Sequence, residues 1–146
     1  MEDDKNIDIF NKYTGEILKL LYENFPVCYD LNISDIINNT SIKTTYAQDK
    51  IELICSETVY WLRDSGFITF AQPQEKLHSI MRYEATPQFM CVILTAKGLE
   101  ILKQTPDSIK PKETLGDKLV EAVSKNASTV VSDIVSTAIS GSIKFL

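Results

Sequence analysis

The chain has 146 residues, of which 44% are hydrophobic and 24% are charged, and these proportions are typical of a folded globular protein rather than a disordered or fibrous one. The length accommodates one ordinary domain with an appendage and excludes two full-sized domains. The net charge is −5. Basic residues are not in excess in any of the three regions 1–8, 9–105 and 106–146. This charge distribution argues against strong sequence-independent binding to nucleic acid.

The N-terminal segment is acidic, and no long apolar run follows it. A secretory signal needs a basic start and an uninterrupted apolar stretch, so we expect residues 1–9 to form an acidic, flexible N-terminus and the chain to stay in the cytoplasm. The three cysteines, Cys28, Cys55 and Cys91, are far apart and have apolar neighbours. Because this spacing fits neither a disulfide framework nor a paired metal site, we predict three reduced thiols in the core.

The first two predicted elements are helices. Apolar residues recur at spacings of three and four over residues 10–24, which is the pattern of an amphipathic helix. Phe25-Pro26 ends this helix, because proline disfavours the helical conformation of the residue before it and lacks an N–H of its own. A second, shorter helix is predicted to start after Asn32, a good N-cap, and its apolar side carries Ile33, Ile36 and Ile37.

The third predicted helix, over residues 48–65, has the clearest apolar pattern. Its apolar stripe joins Ile51, Ile54, Cys55, Thr58 and Leu62 and is widened by Leu53, Tyr60 and Trp61. We therefore expect this helix to be largely buried, with Trp61 in the core rather than on a stacking surface. Gly66 occupies the position at which a left-handed residue commonly ends a helix.

A β-hairpin is predicted to follow the third helix directly. Residues 67–70 and 83–94 are β-prone and flank a polar segment, which is the pattern of two antiparallel strands joined by a loop. Thr95 then caps a short helix over residues 96–104, and Pro106 stops it. The predicted fold class is therefore mainly α with a small β-hairpin.

The C-terminal part is predicted to be a linker, residues 106–114, followed by an amphipathic helix, residues 115–146. Charged residues interrupt the apolar pattern before it reaches about 18 residues, so we expect no membrane-spanning helix. The apolar stripe must be buried against a second copy of the chain, a protein partner or its own domain, whereas the scarcity of basic residues disfavours a membrane surface. The candidate self-association residues are Leu119, Val123, Val130, Ile134 and Ala138.

Two segments carry a resemblance to a known family. One is Trp61-Leu62-Arg63-Asp64-Ser65-Gly66-Phe67-Ile68, which is similar to the end of a recognition helix leading into a wing. The other is Leu94-Thr95-Ala96-Lys97-Gly98-Leu99-Glu100, which is similar to a second wing strand leading into the last helix. With the order of the predicted elements, residues 10–105 resemble the winged helix-turn-helix family of small bacterial or phage-type proteins. The resemblance implies a winged-helix domain whose third helix lies in the DNA major groove and whose wing contacts phosphate or the minor groove.

The resemblance also indicates which residues would contact DNA or a partner. In the third helix they are Lys50, Glu52, Ser56, Glu57 and Arg63, and in the wing they are Lys76, His78 and Arg82. Because two carboxylates on this face would repel phosphates, we predict a non-enzymatic protein-interaction adaptor or regulator whose C-terminal helix mediates self-association or partner docking. The alternative is a sequence-specific DNA-binding transcriptional regulator that uses helix 48–65 and the wing.

No pattern in the sequence predicts catalysis. His78 is the single histidine and could pair with a cysteine as nucleophile and base, but a wing residue is poorly shielded from water, so a solvated histidine is the favoured interpretation. The chain has no Gly-x-Ser-x-Gly motif, no glycine-rich phosphate loop and no ligands at metal-site spacing. We therefore expect no catalytic residue, no cofactor and no metal.

Overall fold

Helices dominate the part of the chain that the computed structural model describes, which is residues 2–71, 84–104 and 113–143. The helices within these residues are α1 (Asn6–Asn24), α2 (Ile33–Asn38), α3 (Gln48–Asp64), α4 (Ala96–Lys103), α5 (Leu115–Ser124) and α6 (Ser128–Ile143). The strands are β1 (Tyr29–Asn32), β2 (Ile68–Ala71) and β3 (Gln88–Leu94). The prediction of a mainly helical fold with a small β element is confirmed.

The three strands form an antiparallel sheet in the order β1-β3-β2. The predicted hairpin is present, because β2 pairs with β3 and Ile68 lies opposite Leu94. Strand β1 pairs with the other edge of β3, where Leu31 lies opposite Phe89. The sequence pattern does not predict β1, because Leu31 is the one fully buried side chain among its four residues.

The segment predicted to be a flexible N-terminus, residues 1–9, contains the first turn of α1, and Ile9 is fully buried. Ahead of the helix, the Asp4 carboxylate accepts hydrogen bonds from the Lys12 ammonium (2.8 Å) and from the backbone N–H of Lys43 (3.1 Å). From Asp4 onward the segment is therefore ordered rather than flexible as expected. The Asp4 contacts hold it against α1 and against the segment before α3.

A disulfide bond joins Cys28, which immediately precedes β1, to Cys91 in β3. The two Cα atoms are 4.8 Å apart although the residues are separated by 63 positions. The prediction of three reduced thiols is therefore wrong for this pair, and it holds for Cys55, which is free and fully buried. The physical reason is the unpredicted strand β1, whose pairing with β3 brings Cys28 beside Cys91.

The junction of α3, the hairpin and α4 depends on two glycines. Gly66 has a φ of 85°, the left-handed conformation that its position predicts. The Thr95 hydroxyl accepts a hydrogen bond from the Gly98 N–H (3.0 Å), which confirms Thr95 as the N-cap of α4. A Cβ at Gly98 would collide with the carbonyl oxygen of Phe67, so glycine allows α4 to pack directly on the start of the hairpin.

The predicted single C-terminal helix is two helices in the structure. The α5 helix follows Thr114, whose hydroxyl accepts a hydrogen bond from the Asp117 N–H (3.0 Å). The helical conformation is interrupted between α5 and α6 at Asn126, which has a φ of 54°. Both helices pack on α1, and at Gly15 the approach is so close that a Cβ would lie 2.5 Å from Val131 Cγ1.

The apolar side of α5 and α6 is buried in the core of the same chain. Its buried residues are Leu115, Leu119, Ala122, Val131, Ile134, Val135 and Ala138. The sequence analysis left open whether this side packs against a second copy, a protein partner or the chain's own domain. In the structure it packs against the chain's own domain. Residues 106–112 of the predicted linker lie outside the described residues. Within the described part of the chain, no helix combines the length and the apolar character needed to span a membrane.

Candidate functional site

Ser56, one of the predicted contact residues of α3, is fully buried. Its hydroxyl accepts a hydrogen bond from the backbone N–H of Thr86 (2.9 Å), and the Thr86 hydroxyl is hydrogen-bonded to the hydroxyl of Tyr60 (2.8 Å). These bonds join α3 to the segment that leads into β3. Ser56 is therefore placed inside the domain rather than on a face that a macromolecule could contact.

Arg63 is held against the hairpin. Its guanidinium lies over the rings of Tyr60 (5.3 Å to the centroid) and Phe70 (5.0 Å). Its Nη2 atom is 3.0 Å from the Asp64 carboxylate. Because stacking and ion pairing fix this side chain along the surface, Arg63 does not extend outward as a DNA-contacting arginine would.

The other predicted contact residues have diverse positions. Lys50 is exposed, and its Nζ atom lies 5.4 Å from the centroid of the Tyr46 ring. Glu52 and Glu57 are half-buried. The candidate wing residues Lys76, His78 and Arg82 lie outside the described residues.

The candidate self-association residues of the C-terminal segment are mostly inside the core. Leu119, Ile134 and Ala138 are buried, and Val123 is half-buried. Val130 alone of this set is exposed, at 47%. The structure therefore does not bring these five residues together on a free surface.

A different surface, the groove between α1 and α3, exposes apolar side chains. This α1/α3 groove has a volume of about 490 Å³ and is lined by Asn6, Ile7, Phe10, Lys50, Leu53, Ile54, Glu57, Thr58 and Trp61. Ile7 is 60% exposed and Trp61 is 42% exposed. The Trp61 ring packs edge-on against Phe10, with the ring centroids 5.2 Å apart. Large apolar side chains grouped in a concave surface are the usual core of a binding site.

The groove exists because α3 is apolar on two sides. Ile51, Cys55 and Leu62 face the domain core and are buried. Leu53 and Ile54, and Trp61 about two helical turns later, lie on another side of the helix. The prediction that Trp61 belongs to the core is wrong, because apolar spacing identifies a helical stripe without saying which of two adjacent stripes meets the core. A helix with apolar residues on more than one side was the available signal.

The charge on α3 is unfavourable for phosphate. The helix contains four acidic residues and two basic ones, and one of its two bases is Arg63. The described lining of the α1/α3 groove contains one cation, Lys50, and one anion, Glu57. The groove lining is therefore largely apolar and electrically balanced, which suits a protein surface better than a polyanion.

The described residues contain no group of three or more His, Cys, Asp or Glu side chains arranged to hold a metal ion. Comparison of the chain with family models, with curated proteins and with solved structures finds no match.

Proposed function

We propose that this chain is a non-enzymatic winged-helix protein that binds protein through α3, and that the α1/α3 groove of one copy is occupied by the same groove of a second copy. The winged-helix assignment is supported by three successive helices, by a hairpin that directly follows the third, and by the short helix α4 behind it. The single observation that carries the binding proposal is the exposure of Trp61 and Ile7 in an apolar groove.

Protein is the favoured class of partner because the side chains that α3 contributes to the α1/α3 groove are more often apolar or aromatic than basic. In DNA recognition this helix would present polar side chains to base edges and cations to phosphates. Here Ser56 is buried and Arg63 is held against Tyr60 and Phe70. Trp61, in contrast, has the size and amphipathic character of the residues that contribute most binding energy at protein interfaces.

A second copy is the favoured partner because the residues of the groove complement one another about a two-fold axis. Two antiparallel α3 helices that cross between Leu53 and Ile54 place Lys50 of one copy opposite Glu57 of the other. The same axis brings Tyr46, which precedes α3 and is 41% exposed, toward Trp61, which is 42% exposed. A surface that pairs opposite charges and exposed aromatics with itself is what an isologous dimer requires.

The test is the molar mass of the full-length chain, measured by light scattering over a range of concentrations. We expect a reversible dimer. Trp61→Lys is expected to raise the dimer dissociation constant by at least about thirtyfold, because truncation or charging of a central aromatic costs about 2 kcal/mol or more. Val27→Lys is the matched control, since Val27 is 69% exposed and lies outside the groove.

A second groove variant, Leu53→Glu, separates loss of dimerisation from an effect of Trp61→Lys on folding. Circular dichroism measures whether both variants keep the helical content of the parent. A monomer at every concentration, or a dimer that neither groove variant weakens, contradicts the proposed surface. DNA is the other occupant to be tested. A labelled duplex pool should show no mobility shift at about 50 mM salt, where electrostatic binding is strong; a shift that Lys50→Ala abolishes would favour the DNA-binding alternative.

A further inference from the structure

A second concave surface lies on the opposite flank of α1 and is polar. This junction cavity has a volume of about 430 Å³, within the range of small-molecule sites. It lies among four parts of the fold: the segment ahead of α1, the middle of α1, the segment after α2 represented by Asn39 and Thr40, and the turn between α5 and α6 represented by Asn126 and Ser128. The cavity therefore exists only because the C-terminal helices fold back on α1.

Glu16 is the buried carboxyl group of the junction cavity. It is 4% exposed, and its carboxylate forms no hydrogen bond or ion pair with any other described residue. Burial raises the pKa of Glu16 above its ordinary value; the charge of Lys19 lowers it in part, and that of Glu23 raises it further. The Lys19 Nζ atom forms an ion pair with Glu23, at 3.8 Å from its Oε1 atom. Because Glu16 is largely removed from solvent, a further cation beside its carboxylate would stabilise the charged form.

The cations inside the cavity are engaged elsewhere. Lys12 donates hydrogen bonds to the Asp4 carboxylate (2.8 Å) and to the Ser41 carbonyl (3.1 Å). In total, three carboxyl groups line the cavity, those of Glu2, Asp4 and Glu16, together with the two ammonium groups of Lys12 and Lys43. Among the described lining residues, carboxyl groups therefore outnumber ammonium groups by one, and Glu16 is the buried acid among them.

We infer that the junction cavity binds a small protonated amine, whose ammonium group pairs with Glu16. An ammonium group carries three hydrogen-bond donors, and Asn39, Thr40, Asn126 and Ser128, which line the same cavity, each carry a side-chain oxygen that can accept one. The volume exceeds what a bare ion needs, so an organic amine fits it better. An amine bound there contacts α1 and the α5–α6 turn together and holds the C-terminal helices on the domain. The inference is independent of the proposed dimer.

The experiment measures the thermal midpoint and the binding heat of the full-length chain with 1,4-diaminobutane and ethylamine at constant ionic strength. The matched neutral probe is 1,4-butanediol, and sodium chloride tests for an inorganic ion. We expect both amines to raise the midpoint and to titrate with one molecule per chain, and the diol to do neither. Glu16→Gln is expected to weaken amine binding at least about tenfold, because it removes a charge-assisted hydrogen bond.

The control variant is Glu100→Gln, which removes an exposed acid of α4 that lies outside the cavity and should leave amine binding within about twofold of the parent, as expected for an exposed charge in salt. Glu16→Gln keeps the shape of the side chain and removes an unpaired buried charge, so without ligand it should melt at the same temperature as the parent or higher. Failure of both amines to bind, equal binding to the two variants, or an equal effect of sodium chloride would overturn the inference.

Discussion

Replacement of Leu119 by alanine is expected to lower the free energy of unfolding by about 2 to 5 kcal/mol, the usual cost of emptying a fully buried leucine site. Leu119 is fully buried and lies where α5 meets Gly15 of α1, since a Cβ at Gly15 would be 3.7 Å from Leu119 Cδ1. Urea denaturation followed by circular dichroism measures the change. The transition should remain single, because the C-terminal helices share one core with the rest of the domain.

Two neighbouring valines of α6 supply the matched control. Val131 is 5% exposed and packs toward Gly15, whereas Val130 is 47% exposed. Val131→Ala should therefore destabilise the chain clearly more than Val130→Ala, since the hydrophobic contribution scales with the apolar area removed from water. Equal, small effects of all three substitutions would mean that α5 and α6 are not docked on α1.

Reduction of the Cys28–Cys91 disulfide is expected to lower the free energy of unfolding by about 2 to 4 kcal/mol. The bond closes a loop between residues 63 positions apart, so breaking it returns conformational freedom to the unfolded chain. The measurement is the urea midpoint with and without dithiothreitol. The double variant Cys28→Ser with Cys91→Ser should reproduce the reduced midpoint and no longer respond to reductant.

Cys55 is the control for the disulfide prediction. Burial raises the pKa of the Cys55 thiol, so this thiol should be unreactive in the folded chain. Cys55→Ala should keep the full response to dithiothreitol. Thiol titration of denatured, unreduced protein should give one thiol per chain, and three thiols per chain after preparation without reductant would contradict the disulfide.

The local features of the fold are those that the sequence predicts well. The bounds of α3, the left-handed Gly66 and the capping of α2 by Asn32 and of α4 by Thr95 follow from periodicity and from the hydrogen-bonding capacity of neighbouring residues. Each of these depends on residues within a few positions of one another. The short-range pattern is therefore sufficient to specify them.

The features that the sequence does not predict depend on contacts between distant segments. Strand β1 is stabilised by its pairing with β3, and the Cys28–Cys91 bond follows from that pairing. The break at Asn126 occurs inside an apolar pattern that continues on both sides of it, so periodicity alone predicts one helix. Local sequence patterns do not predict where a helix is interrupted in order to pack on a distant element, which here is α1.

The candidate sites show the same division. The sequence pattern predicts contact residues on α3, the helix that also carries the proposed groove, but it assigns Trp61 to the core, because two apolar stripes on one helix are equivalent until the fold selects one. Glu16 is spaced as a solvent-facing charge between apolar residues of α1. It is buried in the folded domain, where residues of the α5–α6 turn line the same cavity. Of the residues first expected to bind, Lys50 and Glu57 line the α1/α3 groove and Val123 lines the junction cavity.

Disulfide cross-linking between two variants, each with one new cysteine in a Cys55→Ala background that keeps the Cys28–Cys91 bond, tests the paired α1/α3 groove most directly. Lys50→Cys and Glu57→Cys are prepared separately, mixed and oxidised, and the products are separated by denaturing electrophoresis. Antiparallel pairing of α3 about an axis between Leu53 and Ile54 predicts a covalent dimer in the mixture and little in either variant alone, since cross-linking requires Cα atoms within about 7 Å. Absence of the dimer from the mixture, or equal cross-linking of each variant with itself, would contradict the account.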